Sequence, residues 1–209
     1  GNRAYFANSA GRIVGVDIGA LPDGDAEIVF DYWVGDDVDA TIVIDGAGDI
    51  YVSAQVDLGT VRGREVGQLV KLDPDAAGDP RVWGVDVPSR NGLEGGIWAT
   101  PALVGDTLFV ATNPGDLLAV DTATGEVVWS DDIGGHAWSS PVAVDGRLLV
   151  AVNCDTAPAL RVYDIADARA PVRLAERAFT GGCIESTPAV WKGRLYVGAR
   201  DGFFYAVGE

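Results

Sequence analysis

The chain of 209 residues contains no methionine, a single histidine (His136), two cysteines (Cys154 and Cys183) and two lysines (Lys71 and Lys192). Each shortage closes off a class of function. Two cysteines with no nearby set of histidines cannot complete a tetrahedral site, so no bound metal is expected. His136 follows Gly134-Gly135 in a glycine-rich turn, where neither context nor spacing supports a Ser-His-Asp triad. The 15 basic against 31 acidic residues give a formal net charge of -16. That charge opposes binding to a nucleic-acid backbone or to an anionic membrane surface. No apolar run is long enough to span a bilayer. No secretory leader is visible, although a processed or truncated chain would have lost one.

What the chain does contain is a repeat. The segment from Trp98 to Trp129 carries four short apolar runs separated by turn residues, and the pattern recurs roughly every forty to fifty-five residues. A period in that range marks a β-propeller, each unit being a four-stranded antiparallel blade. The units open on a Pro-Ala or Pro-Val step at Pro101, Pro141 and Pro188, each after a hydroxyl residue: Thr100, Ser140 and Thr187. Second strands are predicted at Arg3–Ala7, Asp49–Ala54, Thr107–Thr112, Arg147–Val152 and Arg194–Ala199. Third strands end on Asp17, Asp73, Asp121 and Asp164, and a fifth runs over Gly202–Val207. Several of these runs are apolar throughout, as strands sandwiched between neighbouring blades must be.

The unit is most complete at Ala119, Asp121, Thr124, Gly125 and Trp129. In physical terms Gly125 permits the positive φ of a hairpin, Asp121 can accept backbone N–H bonds in the turn, and Trp129 is a broad apolar wedge. Asp73, Gly78 and Trp83 keep the skeleton around a longer loop. These residues match the A-x-D-x-x-T-G-x-x-x-W docking motif, and through it the chain resembles the PQQ-like (quinoprotein-type) β-propeller family. The non-catalytic, outer-membrane-assembly members of that family are nearest in character. The resemblance covers essentially the whole chain and implies an all-β propeller, usually of seven or eight blades closed by strands from both termini.

The organisation expected is a single propeller domain or segment over 1–209, with approximate blades at 1–35, 36–92, 93–134, 135–180 and 181–209. The strand count is three, four, four, four and three, so the first and last blades are incomplete. Such a count fits part of a larger propeller, or a compact five-bladed ring with two thin blades. A bare sheet edge and an uncovered blade face are liabilities, which favours the first reading. The start Gly1-Asn2-Arg3 reads as a cut and the ending at Glu209 as a natural terminus. Missing blades or a partner chain are then the expected means of completing the ring.

Overlay of the units places Trp98, Trp138 and Glu185 at equivalent positions, three residues before the repeat proline, with His136 close by. First strands line a propeller channel, so these side chains could ring its mouth and take a protein or peptide ligand. They could equally pack between blades, with Glu185 meeting solvent or an arginine. Cys154 follows one second strand and Cys183 precedes the next first strand, at the same rim, which makes a disulfide and an extracytoplasmic location the expectation. Acidic hairpins such as Asp23-Gly24-Asp25 and Asp73-Pro74-Asp75 read as solvated turns without calcium-ligand spacing. The function expected is a non-catalytic binding or scaffold propeller, without cofactor. The resemblance also implies an alternative, the propeller of a PQQ-dependent dehydrogenase holding quinone and calcium. Against that alternative, the adjacent cysteines typical of such enzymes are absent.

Overall fold

The computed structural model describes residues 2–90, 92–153 and 159–208, and the chain forms two compact units, Gly1–Asp86 and Val87–Glu209. In the first unit, β1 (Arg3–Ala7), β2 (Arg12–Asp17) and β3 (Glu27–Trp33) form a three-stranded sheet. A four-stranded sheet follows, made of β4 (Val43–Ile44), β5 (Ile50–Ser53), β6 (Leu69–Leu72) and β7 (Arg81–Val85). The second unit holds two four-stranded sheets and a three-stranded one. These are β8 (Ala102–Val104) to β11 (Val127–Asp132) with β9 (Thr107–Ala111) and β10 (Asp116–Asp121), then β12 (Val142–Val144) to β15 (Val172–Arg177) with β13 (Arg147–Val152) and β14 (Ala159–Asp164). The last sheet is β16 (Ala189–Trp191), β17 (Arg194–Gly198) and β18 (Phe204–Val207). Every strand pairs antiparallel with its neighbour in sequence, so each sheet is a meander. The five sheets with three, four, four, four and three strands are those the repeat predicts.

A bulge recurs between the last two strands of the first four sheets: Gly15/Val16, Lys71/Leu72, Ala119/Val120 and Val162/Tyr163. In each case it falls just before the terminal aspartate. An extra residue there bends the outer strand and increases its twist, so the corner aspartate and the twist belong to one repeated device. At the best-preserved corner, Asp121 Oδ1 accepts from the N–H groups of Ala123 and Thr124, both at 3.0 Å, and from the Thr124 hydroxyl at 3.1 Å. Gly125, at φ 74°, donates its N–H to the Asp121 carbonyl. Trp129 is half-buried and meets Tyr163 of the next sheet edge to face, with ring centroids 5.9 Å apart. Asp121 also reaches that sheet through Arg169, at 2.5 Å.

The central strands of the third sheet, β9 and β10, are largely apolar and deeply buried. Leu108, Phe109, Val110, Ala111, Leu117 and Ala119 are all fully buried. In the first unit Ile13, Phe30 and Tyr32 of the first sheet pack against Val52, Val70 and Leu72 of the second. In the second unit Ala151 and Leu160 pack against Ile184, Leu195 and Val197. The outward faces of the first and last sheets are different: Phe6 and Ile28 on one, Trp191 and Phe204 on the other, stand exposed.

One helix, α1 (Val61–Val66), departs from the repeat and lies in the long loop of the second sheet. Thr60 caps it, its hydroxyl accepting from the Gly63 N–H at 2.9 Å, while that hydroxyl also donates to the Gly35 carbonyl. Among the described residues no helix is long and apolar enough to cross a membrane.

Candidate functional site

The rim is built the same way in each repeat. In four of the repeats a residue one or two positions past the end of the second strand donates its backbone N–H to a carbonyl in the segment leading into the first strand. Asn113 bonds Gly96, Asn153 bonds His136 and Arg200 bonds Cys183, at 3.0, 3.0 and 2.9 Å. In the first unit Gln55 bonds the Asp37 carbonyl at 2.8 Å in the same manner. The side chain two residues beyond each of these carbonyls is thereby fixed in place: Asp39, Trp98, Trp138 and Glu185. The hydroxyl residues before the repeat prolines stitch adjacent first strands of the second unit. The Thr100 N–H donates to Ser140 Oγ at 3.0 Å, and the Ser140 N–H to Thr187 Oγ1 at 3.2 Å. Ser139 adds a bond from its hydroxyl to the Ser186 carbonyl at 3.0 Å.

Of the residues singled out in the sequence, three come together. Trp98 and Trp138 lie with ring centroids 6.4 Å apart at 31°, and His136 tilts against Trp138 with centroids 4.9 Å apart. Trp138 remains 39% exposed, yet its indole N–H is held by Asn113 Oδ1 at 2.9 Å. Asn113 Nδ2 donates in turn to the Glu94 carbonyl at 2.9 Å. Glu185 turns instead to Arg200, at 2.8 Å. Cys183 is not a free thiol, whereas Cys154 lies outside the described residues. Trp83 is half-buried and tilts against Tyr51, 5.9 Å away. Asp73 repeats the corner geometry in reduced form, accepting from the Asp75 N–H at 2.9 Å. The strand-following residues Gln55, Asn113, Asn153 and Arg200 escaped the sequence reading. A polar residue recurring directly after an apolar strand was the available signal.

In the first unit the rim is acidic. Gln55 Nε2 donates to Asp39 Oδ2 at 2.7 Å, and Asp37 stands beside them with a buried Oδ1 that has no hydrogen-bond partner among the described residues. Burial pushes the Asp37 carboxyl above the ordinary range, and the charges of Asp39 and Asp57 push it further. A group whose folded pKa is raised favours the folded state when protonated and opposes it when charged. Asp37→Asn is therefore expected to raise the melting temperature at neutral pH, with the gain fading as pH falls through the raised pKa of the folded carboxyl and lost below the ordinary aspartate range, about pH 4. A thermal melt of both proteins at pH 7 and pH 3.5 checks it; an equal gain at both pH values would show that charge is not the cause. Among the described residues no three His, Cys, Asp or Glu side chains converge as a metal ion requires.

Comparison with known proteins places this architecture. Residues 65–207 match a PQQ-type repeat family model described as outer membrane protein assembly factor BamB. The chain is similar to the outer membrane protein assembly factor BamB of Moranella endobia (strain PCIT), with 27% identity over 193 residues, covering 86% of this chain and 45% of that protein. It superposes on the crystal structure of BamB from Moraxella catarrhalis with a TM-score of 0.68 and 20% identity, covering 98% of this chain and 54% of the other. The computationally designed Ika8 protein gives a TM-score of 0.70 at 10% identity, covering all of this chain and 56% of the design. The chain thus spans about half the length of the BamB proteins it matches. Its sheets are propeller blades, and the chain belongs to the BamB-like family of PQQ-type β-propeller repeats.

Proposed function

We propose that this chain is part of a non-catalytic binding and assembly propeller that acts outside the cytoplasm and holds a polypeptide partner on its aromatic rim. The observation that carries the reading is Trp138. A large ring that is exposed yet locked by a hydrogen bond can anchor a partner with little loss of conformational freedom. The similar proteins are described as outer membrane protein assembly factors. The partner proposed is accordingly an extended, strand-forming segment of an outer-membrane protein. The reading assigns no cofactor. The exposed faces carrying Phe6 and Ile28, and Trp191 and Phe204, are those that further blades or a partner chain would cover.

Fluorescence anisotropy of labelled outer-membrane-protein strand peptides tests this. Trp138→Ala is expected to weaken binding by about tenfold or more, the cost of removing a central aromatic anchor. Equal binding by the variant would remove the rim from the function.

The extracytoplasmic location rests on pairing of Cys183 with Cys154. A bridge closing that loop stabilises a fold by about 3–4 kcal/mol in the chain-entropy model. Reduction is expected to lower the urea midpoint accordingly, and Cys154→Ser to lower it to the same value. An unchanged midpoint under reductant would overturn both the bridge and the location argued from it.

A further inference from the structure

Four aspartates of the chain precede a glycine: Asp23, Asp45, Asp145 and Asp201. At such a step the backbone nitrogen can approach the aspartate carboxyl with no side chain in its way. The fold treats the four differently. Asp45 Oδ1 accepts the N–H groups of Ala47, Gly48 and Asp49, and its Oδ2 accepts the Tyr51 hydroxyl. Asp201 is held likewise by Gly181, Phe203 and Tyr205, while the Gly202 N–H is tied to the Ala199 carbonyl. The Tyr205 bond keeps the Asp201 carboxyl below its ordinary range, and so in the ionised form that resists attack. At Asp23 the nitrogen is tied instead, the Gly24 N–H donating to the Ala20 carbonyl at 2.8 Å. At Asp145 neither the carboxylate nor the Gly146 N–H makes a hydrogen bond among the described residues. The turn between β12 and β13 holds Asp145 at φ 47° and Gly146 at φ 70°, both exposed. The first is a left-handed conformation that a residue with a side chain resists. The turn is also open, since a methyl group on Gly146 would meet nothing within 4 Å.

We propose that Asp145 is a modification site, the point at which the folded chain converts an aspartate to isoaspartate. The Gly146 nitrogen attacks Cγ of the neutral carboxyl and forms a C–N bond, and the nitrogen proton and the carboxyl hydroxyl leave together as water. The five-membered succinimide then takes up water at the main-chain carbonyl of Asp145, and the bond from that carbon to nitrogen breaks. The backbone afterwards runs through Cγ, with a free α-carboxylate beside it, and no reactant other than water is used. Attack requires rotation of the Asp145 backbone. That rotation is resisted least where φ is already unfavourable and the neighbouring N–H is unbonded. The product has an additional backbone methylene between Val144 and Arg147, the pair that closes the hairpin. It also displaces the Gly146 carbonyl, which accepts the Ile165 N–H at 3.0 Å. The new α-carboxylate is the group that an isoaspartyl methyltransferase esterifies, so an enzyme of that class is the partner the modified turn would take.

The test is to age the folded chain at mildly acidic pH, digest it, label the peptides with an isoaspartyl methyltransferase and map them by mass spectrometry. The peptide bearing Asp145 is expected to carry at least about tenfold more label than those bearing Asp23, Asp45 or Asp201, the order of protection that a hydrogen bond gives. In urea the four steps are expected to react alike. Asn91, which also precedes a glycine, lies outside the described residues, and its amide reacts with loss of ammonia, so its peptide is told apart by mass. Asp145→Glu keeps the charge but would need a larger ring, and it is expected to lose the label, with melting temperature confirming that the variant is folded. Hydrogen exchange gives a second readout: the Ile165 amide is expected to exchange faster in the aged parent than in the aged variant. Equal labelling of the four steps in the folded chain overturns the proposal. A dominance of Asp145 that persists in urea overturns it too, since local sequence and not the fold would then select the site.

Discussion

Asp36→Ala is expected to cost about 3–5 kcal/mol of stability, a large share of what a domain of this kind possesses. The carboxylate is almost entirely buried and accepts four backbone N–H bonds. Oδ1 takes those of Asp37, Asp57 and Leu58 at 2.9, 2.9 and 2.8 Å, and Oδ2 takes that of Gly59 at 2.9 Å. The turn before α1 is thus folded around one side chain. Alanine leaves four donors without their acceptor, and bonds to a charged acceptor are each worth more than neutral ones. Asparagine retains one acceptor oxygen, so Asp36→Asn loses less. Urea melts give the size of the effect, and hydrogen exchange gives its place: the amides of Asp57, Leu58 and Gly59 exchange faster in Asp36→Ala. A midpoint within about 0.5 kcal/mol of the parent would mean that solvent replaces the carboxylate freely.

In the sequence Asp36 is one acid among many in a chain rich in acidic turns, and nothing local marks it as a buried hub. Its role comes from Asp57, Leu58 and Gly59, more than twenty residues away, whose approach no periodicity encodes. Asp121 is the contrary case. Its partners lie two and three residues downstream, so the motif residues Asp121, Thr124 and Gly125 suffice to read the corner. The five sheets were legible for the same reason, since meanders pair neighbours in sequence and the repeat supplies the register. Helix α1 was not. A six-residue stretch with an internal glycine and two valines has weak helical propensity, and the Thr60 cap and its bond to Gly35 hold it there. On the rim, overlay of repeats could align Trp98, Trp138 and Glu185. It could not show that Asn113 grips Trp138 from the preceding repeat, or that Arg200 draws Glu185 into an ion pair. Those pairings depend on which side chain faces which across the step between blades.

Gly84→Ala is expected to destabilise the chain by about 3 kcal/mol, the upper range for overpacking a close contact. Gly84 lies on β7 opposite Val70. A Cβ placed there would overlap the carbonyl oxygen of Val66, the last residue of α1, and would stand 3.1 Å from its carbonyl carbon. It would also come within 2.8 Å of the Arg81 guanidinium. The arginine is a flexible end and can swing away, but the Val66 backbone cannot move alone. It is tied to the Gly63–Gly67 turn, where the Gly67 N–H donates to the Gly63 carbonyl, and to the fully buried Val66 side chain. Relief therefore requires α1 to lift from β7, which exposes Val66 and pulls on the bond from the Gln68 N–H to the Val85 carbonyl. Gly78→Ala is the matched control. Its added methyl meets nothing within 4 Å, and its φ lies outside the left-handed region, so it is expected to stay within about 0.5 kcal/mol of the parent. Urea midpoints of the two variants compare a seated helix with an open loop in the same unit. Equal midpoints would mean that α1 rests on β7 too loosely to sense a methyl group, and the helix would then be held by its Thr60 cap alone.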